Sequence, residues 1–277
     1  MKVAVIPNQN KDSDLTVTRS AVSFLLSLGA EIYSDTPVNE KAVFADTETC
    51  VKAADIVLTV GGDGTILHTA RFSAAGKKPT LGINMGKVGF MADVEPCELD
   101  LLAHLFSGDY TTENRMLLSC DVVRGGDTIF SSLALNDVVI SKGTVSRMIE
   151  FDILSDGNFI HSYHADGVIF ATPTGSTAYS LSAGGPIVSP DLNCILATPV
   201  CVHSIKAARP VIFNDNAAIS VKINTLNDNP AFVTSDGIEN FRLEHNDTVY
   251  IRKSELTFQL IRIKKESFYT ILSKKIQ

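Results

Sequence analysis

Residues 55–76, DIVLTVGGDGTILHTARFSAAG, decide the fold because they join an apolar run, a glycine-rich break and a helical pattern. The apolar run, residues 55–60, is typical of a strand that is buried on both faces. Residues 61–64 interrupt it, and residues 65–75 then show the pattern of a helix that ends at Gly76. A buried strand that passes through a tight turn into a helix is the repeating unit of a parallel α/β sheet.

Similar strand and helix signals alternate through about residue 108. Apolar runs at residues 3–6, 30–33 and 79–84 predict three more strands, and the last helical pattern of this region covers residues 97–106. This alternation predicts a doubly wound parallel sheet.

The pattern changes beyond residues 108–115, where short strand-like runs follow one another without helices between them. They are joined by Gly-Gly at residues 125–126 and by Asp-Gly at residues 156–157 and 236–237, dipeptides that favour hairpin turns. We therefore expect a second part that is mostly antiparallel β-sheet.

The composition excludes several classes of protein. Of the 277 residues, 45% are hydrophobic and 20% are charged, so a disordered, collagen-like or coiled-coil chain is a poor fit. The 24 Lys and Arg against 31 Asp and Glu give a net charge of −7, which argues against a nucleic-acid or acidic-membrane partner. No apolar stretch approaches the ~18 residues of a membrane span. The scattered cysteines lack CxxC spacing, which predicts reduced thiols and a cytoplasmic location.

The glycine-rich break has the features of an anion-binding loop. Glycines let the backbone approach a ligand closely, and a helix that begins at Thr65 would direct unpaired N–H groups towards an anion. Asp63 is then a candidate general base or metal-associated carboxylate. The alternative is a tight turn in which Asp63 caps the helix. The loop is not the dinucleotide fingerprint, because Leu67 occupies the third glycine position, and it lacks the Gly-Lys-Ser/Thr ending of the Walker loop.

Residues 172–186, TPTGSTAYSLSAGGP, are the densest run of hydroxyl-bearing residues and glycines in the chain. Ser176 or Thr177 is expected to cap a short helix that two glycines end, and Tyr179 is expected to stack on a ligand or to bond it. The run is therefore either a second binding loop or, as the alternative, a capped turn whose hydroxyl groups serve only the local structure.

The polar pair Asn136 and Asp137 stands between two apolar strand-like runs. Polar side chains at such a place either form a turn or point into a site, and the pattern alone leaves both interpretations open.

Taken together, these motifs resemble those of the NAD kinase family. The loop at residues 61–65, the pair at residues 136–137 and the run from residues 166–167 through 172–185 occur in the order of that family, and residues 86–90 are a weaker match. The first loop alone is shared with diacylglycerol and sphingosine lipid kinases and is echoed in 6-phosphofructokinases. The long run is specific to this family, and the resemblance covers most of the chain.

The resemblance implies a two-domain organisation. An N-terminal Rossmann-like α/β domain is expected at residues 1–112 and would carry the GGDGT loop. A C-terminal antiparallel β-sandwich-like domain is expected at residues 113–253 and would carry the NAD-binding motif. Residues 254–277 would return as a tail to the N-terminal domain.

The resemblance also implies a reaction. The family transfers the γ-phosphoryl of ATP to the 2′-hydroxyl of the adenosine ribose of NAD, which gives NADP, and it uses Mg²⁺ or Mn²⁺. Members assemble as dimers or tetramers, so a homodimer or homotetramer is expected, with no nucleic-acid and no membrane partner. Inorganic polyphosphate as donor, NADH as acceptor and feedback by NADP stay open.

The resemblance assigns residues by position. Asp63 resembles the catalytic base that withdraws the 2′-hydroxyl proton. The phosphate loop would consist of Gly61, Gly62, Gly64 and Thr65. The NAD contacts would be Asp63, Gly64, His68, Phe90, Asn136, Asp137, Arg147, His164, Asp166, Thr177, Ala178, Tyr179, Ser180, Leu181 and Ser182. Of these, Phe90 would touch adenine, and Arg147, His164 and Asp166 would meet the ribose or nicotinamide end.

Two other functions are alternatives to an NAD kinase. A lipid kinase would share the first loop, and a non-catalytic NAD-binding sensor would share the second motif. The chain departs from the family at Ile238, where the family often has Gln after the Asp-Gly turn, so a polar contact from that position is not expected.

Overall fold

The computed structural model describes five stretches of the chain, namely residues 1–86, 89–143, 147–203, 209–224 and 230–276. They form two compact units. The first unit consists of Met1–Arg115 with Thr257–Gln277, and the second unit is Met116–Leu256. Across the described stretches, every helix is too short or too polar to cross a membrane.

The elements are numbered in chain order. The described strands are β1 (Lys2–Pro7), β2 (Glu31–Ser34), β3 (Val43–Phe44), β4 (Ile56–Val60), β5 (Thr80–Ile83), β6 (Thr111–Arg124), β7 (Asp127–Ala134), β8 (Asp137–Lys142), β9 (Ile149–Ser155), β10 (Asn158–Ala165), β11 (Gly167–Ala171), β12 (Cys194–Val200), β13 (Val211–Asn214), β14 (Ile219–Ile223), β15 (Ala231–Ser235), β16 (Glu239–Leu243) and β17 (Thr248–Arg262). The α-helices are α1 (Thr16–Ser27), α2 (Thr47–Ala53), α3 (Asp63–Gly76), α4 (His104–Ser107), α5 (Tyr179–Ser182) and α6 (Phe268–Ile276), and 3₁₀ turns cover Leu99–Ala103 and Thr174–Thr177.

The first unit is built on a parallel sheet with the strand order β3-β2-β1-β4-β5-β17. All five residues of β4 are buried, as an apolar run without alternation predicts. One face of β1 packs Val5 into a cluster with Leu25 of α1, and the other face packs Ile6 with Val51 of α2. Helices therefore cover both faces, so the predicted doubly wound α/β sheet is confirmed.

The second unit is a β-sandwich. One sheet joins β10, β9, β14 and β17, with β6 and β7 beside them, and the other has the order β13-β12-β11-β8-β15-β16. The pairs within the second sheet are antiparallel. Phe151 of the first sheet and Phe170 of the second are fully buried in one apolar cluster, which is the core of the sandwich. The expected antiparallel β domain is confirmed.

Several element bounds differ from the sequence-based prediction. Helix α3 begins at Asp63 and not at Thr65, because Gly62 adopts a φ of 127° and serves as the residue before the helix. The expected helix at residues 97–106 is a 3₁₀ turn followed by the single turn α4, which ends at Gly108 with a φ of 75°. Strands β3, β12 and β16 were not predicted.

Candidate active site

The glycine loop joins the end of β4 to the start of α3, and its geometry requires glycine at two positions. The N–H of Gly61 donates to the carbonyl of Ile83 in the neighbouring strand β5, at 2.9 Å. A Cβ on Gly61 would collide with the hydroxyl of Thr65 and would lie 2.7 Å from the Cβ of Asn8. Gly62 lies in the left-handed region, where side chains are strained. The loop is therefore a tight turn at the carboxyl end of β4, the edge where open α/β sheets bind ligands.

The carboxylate of Asp63 is fixed by backbone amides from a distant segment. Its Oδ2 accepts from the N–H of Phe90 at 2.8 Å, and its Oδ1 accepts from Met91 at 3.0 Å and from Ala92 at 3.1 Å. Helix α3 has no side-chain cap, so the interpretation of Asp63 as a helix cap is wrong. A Cβ on Gly89 would lie 2.5 Å from Oδ1, so glycine is also needed where this segment approaches the carboxylate.

Residues near the glycine loop differ in their exposure. Thr65 is buried, and its hydroxyl accepts from the amide of Asn8 at 3.4 Å, so it belongs to the framework of the loop. Gly64 and His68 are exposed on the first two turns of α3, and a Cβ on Gly64 would meet open space. Lys11 was missed by sequence reasoning, and its ammonium lies 3.0 Å from the position that a Cβ on Gly62 would take. Its position shortly after β1 could have indicated this, because β1 ends at the same edge of the sheet as the glycine loop.

Phe90 connects the Asp63 segment to helix α6. Its ring centroid lies 5.9 Å from that of Phe268, and the ammonium of Lys275 lies 4.0 Å from the centroid. Burial lowers the pKa of Lys275, and the nearby Asp63 carboxylate opposes that effect. In the weak match at residues 86–90, Lys87 and Val88 lie outside the described residues.

In the second unit, Asn136 and Asp137 are held by a third polar residue, Asp236. The carboxylate of Asp236 accepts from the N–H groups of Leu135 at 2.7 Å, Asn136 at 2.8 Å and Asp137 at 3.0 Å. Burial, and then the negative charge of Asp236, raise the pKa of Asp137 from 3.8 to about 7. Burial also raises the pKa of Asp236, although its three amide partners work against this. Sequence reasoning treated Asp236 only as a turn residue, because Asp-Gly is so common in hairpins.

A pocket of about 370 Å³ opens beside this group. It is lined by Asn136, Asp137, Val139, Ser141, Ala178, Tyr179, Thr234, Asp236 and Gly237. The side-chain oxygen of Asn136 is buried and has no hydrogen-bond partner within the described stretches, so it is an unused acceptor beside the pocket. The pocket thus brings four of the predicted NAD contacts together. Of the two interpretations of the polar pair, a turn or part of a site, this geometry fits the site.

The run at residues 172–186 is anchored to the polar pair through its backbone. The hydroxyl of Thr172 donates to the carbonyl of Leu135 at 2.6 Å, and the N–H of Thr172 donates to the carbonyl of Asn136 at 2.9 Å. A Cβ on Gly175 would collide with the backbone of Asn136. These contacts set Tyr179, which is 49% exposed, at the pocket.

Other hydroxyls of this run have partners inside the protein. Ser176 is fully buried and bonds to Pro173 and Val188, while the hydroxyl of Ser180 lies 2.9 Å from that of Thr198. The hydroxyl of Thr177 donates to the carbonyl of Thr174 at 3.2 Å. The expected cap is wrong, because α5 begins at Tyr179 after Ala178, and no side chain caps it. Leu181 and Ser182 are exposed on α5.

The remaining predicted contacts do not line this pocket in the described part of the second unit. Arg147 is exposed, and the carboxylate of Asp166 forms an ion pair with Lys142 at 2.9 Å. The ring of His164 lies edge-on to that of His203, with centroids 6.2 Å apart.

Comparison with known proteins identifies the family. Residues 3–110 match the ATP-NAD kinase N-terminal domain, and residues 135–263 match the ATP-NAD kinase C-terminal domain. The chain is 40% identical over 280 residues to an NAD kinase of Thermoanaerobacter sp. (strain X514), which covers 99% of this chain and 98% of that protein. It is 36% identical over 281 residues to an NAD kinase of Acetivibrio thermocellus, a match that covers 100% of this chain and 97% of that protein.

Solved structures agree with the sequence matches. Yeast NADH kinase complexed with NADH has a TM-score of 0.86 at 26% identity, covering 100% of this chain and 87% of that one. An NAD kinase from Archaeoglobus fulgidus in complex with ATP has a TM-score of 0.77 at 27% identity, covering 99% and 98%. The chain therefore belongs to the NAD kinase family, whose members are phosphotransferases.

Proposed function

We propose that this chain transfers the γ-phosphoryl of ATP to the 2′-hydroxyl of the adenosine ribose of NAD, with Asp63 as the general base. The observation that carries this proposal is the carboxylate of Asp63, fixed by three backbone amides beside the glycine loop. A base needs a defined position within hydrogen-bond reach of the proton that it removes, and this arrangement supplies one.

The hydrogen bonds of Asp63 leave room for the substrate. A carboxylate offers about four lone-pair sites, and the three amides use two on Oδ1 and one on Oδ2. The second site of Oδ2 has no partner in the described residues. We propose that the 2′-hydroxyl donates to that site.

In the reaction, the proton of the 2′-hydroxyl passes to Asp63 as the oxygen forms a bond to the γ-phosphorus. The bond between the γ-phosphorus and the bridging oxygen breaks, and its electron pair leaves with ADP. Asp63 then releases the proton to solvent. Positioning and charge neutralisation supply most of the rate in such transfers.

Positive charge near the phosphates has several proposed sources. The start of α3 directs N–H groups towards the loop, and Lys11 places an ammonium beside Gly62. Within the described residues, no group of three His, Cys, Asp or Glu side chains is arranged to hold a metal ion. This fits Mg²⁺ or Mn²⁺ that arrives bound to ATP, since Mg²⁺ is held largely by substrate phosphates in many kinases. Such an ion would neutralise charge on the γ-phosphoryl.

In the second unit, we propose that the pocket beside Asp137 binds the adenosine part of NAD. Asn136 offers an unused buried acceptor and Tyr179 an exposed ring, which suit the amino group and the face of adenine. The remaining proposed contacts keep their predicted roles, namely Gly64, His68, Phe90, Arg147, His164, Asp166, Thr177, Ala178, Ser180, Leu181 and Ser182. The proposed domains, residues 1–112, 113–253 and 254–277, divide the GGDGT loop and the NAD-binding motif between the first two.

We also propose a homodimer or homotetramer in the cytoplasm. Phe159 and Ile160 are exposed by 62% and 40% on β10, the edge strand of its sheet, which supports an interface between copies. None of the cysteines forms a disulfide, which agrees with a reducing compartment. Light scattering tests the assembly, and a fractionation of cells tests the location.

The test of the proposed function is incubation of the purified chain with NAD, ATP and Mg²⁺, followed by an assay specific for NADP. Parallel reactions replace NAD with NADH and ATP with inorganic polyphosphate. NADP formed from NAD and ATP supports the proposal. A chain that binds NAD but forms no NADP with any donor would instead be a sensor.

A further inference from the structure

Arg262, at the end of β17, lies behind the segment that holds Asp63. Its side chain is 7% exposed. The guanidinium donates from Nη2 to the carbonyl of Phe90 at 2.8 Å and from Nη1 to the carbonyl of Met91 at 3.1 Å. A planar guanidinium can satisfy two neighbouring carbonyls at once, which a lysine ammonium cannot do with the same geometry.

Two peptide units therefore have contacts on both sides. Arg262 donates to their carbonyls, those of Phe90 and Met91, and their N–H groups, those of Met91 and Ala92, both donate to Oδ1 of Asp63. Because a peptide unit is planar and rigid, fixing its carbonyl also restricts where its own N–H points. The direction in which the segment presents donors to Asp63 thus depends on Arg262.

Two carboxylates hold Arg262 in place. Asp93 lies 3.5 Å from Nη1, and Glu113 lies 3.2 Å from Nε. Burial tends to raise the pKa of Glu113, but Arg262 and Arg115 outweigh it, so the pKa lies below its usual range and Glu113 is ionised at neutral pH. Asp93 and Glu113 therefore orient the guanidinium from two of its nitrogens.

Asp93 also attaches the segment to the end of β17. Its Oδ2 accepts from the N–H groups of Ile263 at 2.8 Å and Lys264 at 2.9 Å. Asp93 is 8% exposed, so these bonds form away from bulk water, where they are stronger. Strand β17 and the segment after Gly89 are therefore joined by two side chains, Arg262 from one and Asp93 from the other.

We propose that Arg262 is a positioning residue for Asp63: it fixes the Phe90–Met91 backbone, whose amides then hold the carboxylate in its working orientation. This inference rests on the proposed role of Asp63 as the base. Arg262 has no part in binding substrate under this proposal. Its loss should therefore lower kcat and leave the KM values for NAD and ATP nearly unchanged.

The test compares Arg262→Lys with a matched control, Arg124→Lys. Arg124 forms a bidentate ion pair with the buried Asp247 in the second unit, at 2.8 and 2.9 Å, and has no proposed role in the reaction. Both variants replace a guanidinium fork by an ammonium beside a buried carboxylate. Thermal midpoints, kcat, both KM values and hydrogen exchange of the Phe90, Met91 and Ala92 amides are measured for each.

We expect Arg262→Lys to lower kcat about tenfold or more, since small displacements of reacting groups have effects of that size, with KM values within about twofold. The three amides should exchange at least about tenfold faster than in the wild type, because they lose a fixed orientation. Arg124→Lys should change neither kcat nor this exchange. A folded Arg262→Lys variant with the kcat and amide exchange of the control would overturn the proposal.

The amide measurement separates this inference from the proposed function. If Asp63→Asn keeps the wild-type kcat, the role of Asp63 as the base fails, while exchange at the three amides still tests whether Arg262 fixes them. If Arg262→Lys does not fold, Arg262→Gln replaces it, because a neutral amide keeps N–H donors and lacks the fork that spans both carbonyls. A lower kcat with unchanged KM values and faster exchange of the amides in Arg262→Gln supports the proposal, and the wild-type kcat with wild-type exchange overturns it.

Discussion

Asp137 and Asp236 are joined by hydrogen bonds in both directions. The N–H of Asp137 donates to the Asp236 carboxylate at 3.0 Å, and the N–H of Asp236 donates to the carbonyl of Asp137 at 2.9 Å. Burial and the negative charge of Asp236 both act against ionisation of the Asp137 carboxyl and raise its pKa. The pocket beside it therefore contains a carboxyl group that changes charge near neutral pH.

The raised pKa of Asp137 predicts a pH-dependent stability. The group titrates at 3.8 when unperturbed and at about 7 in the folded chain, so the folded state holds the proton over that range. The stabilisation that the raised pKa of Asp137 gives to the folded state is fully present below about pH 4 and is lost as the pH rises through about 7. The free energy of unfolding changes by on the order of 4 kcal/mol over this range. Asp137→Asn cannot ionise, so its free energy of unfolding relative to wild type should increase from about pH 4 to pH 8.

Denaturant titrations at several pH values check this prediction. Asp127→Asn, at the exposed start of β7, is the control for loss of one surface carboxylate. The contradicting result is a difference between the free energies of unfolding of Asp137→Asn and wild type that stays the same from acid to alkaline pH. That result would show that the pKa of Asp137 is not raised in the folded chain.

Tyr179→Ala should raise the KM for NAD and leave folding intact. The ring is half exposed at the pocket, and base stacking on an aromatic side chain contributes about 1–3 kcal/mol, which corresponds to roughly a 5- to 150-fold loss. Tyr250→Ala is the control, because Tyr250 is similarly exposed, at 42%, on β17 and does not line the pocket. Steady-state kinetics at saturating ATP give the comparison, and equal KM values in the two variants would place Tyr179 outside the NAD site.

The two glycines of the loop should respond differently to alanine. Gly61→Ala places a methyl group against Thr65 and Asn8, so we expect the free energy of unfolding to fall by about 1–3 kcal/mol. Activity should fall as well. Gly64→Ala adds a methyl group in open space on α3, so stability should stay within about 0.5 kcal/mol. If Gly64 lies against NAD as proposed, activity should nevertheless fall. Thermal melts and NADP formation are the measurements, and a fully active Gly64→Ala would remove Gly64 from the proposed contacts.

Removal of divalent cations should abolish turnover without unfolding the chain. The net charge of −7 leaves no surplus of positive charge to neutralise ATP, and we propose that the cation arrives with the nucleotide. EDTA should therefore stop NADP formation, Mg²⁺ or Mn²⁺ should restore it, and the thermal midpoint of the nucleotide-free chain should not move. Full turnover in excess EDTA would contradict this part of the mechanism.

The regular elements near the glycine loop were predictable because their signals are local. Strand β4 is a continuous apolar run, and α3 follows it with helical spacing, so their order alone indicated the parallel sheet and its ligand-binding edge. Strand β12 was missed because it contains Pro199, which argues against a strand in a sheet interior. Strand β3 has two residues, too few for any periodicity.

The partners of the site residues were not predictable in the same way. Asp63 is held by amides 27 to 29 residues further along the chain, in a segment without periodicity, and Asp236 meets Asn136 across 100 residues. Such contacts depend on which strands become neighbours, and the pattern of one strand does not specify that. Arg262 likewise carries no local sequence signal of its role, and only the packed structure shows which carbonyls it meets.

Asp63→Asn tests the central claim most directly. Asn keeps the shape of the side chain and can accept from part of the amide group, but it cannot take the proton of the 2′-hydroxyl. We expect the single-turnover rate of NADP formation to fall by about 10²–10⁴, the usual range for loss of a general base. The dissociation constant for NAD, measured by calorimetry on the same preparation, should change less than about threefold, within about 0.7 kcal/mol. A variant that forms NADP at the wild-type rate, or one that loses NAD binding as much as it loses rate, would contradict the role of Asp63 as the base.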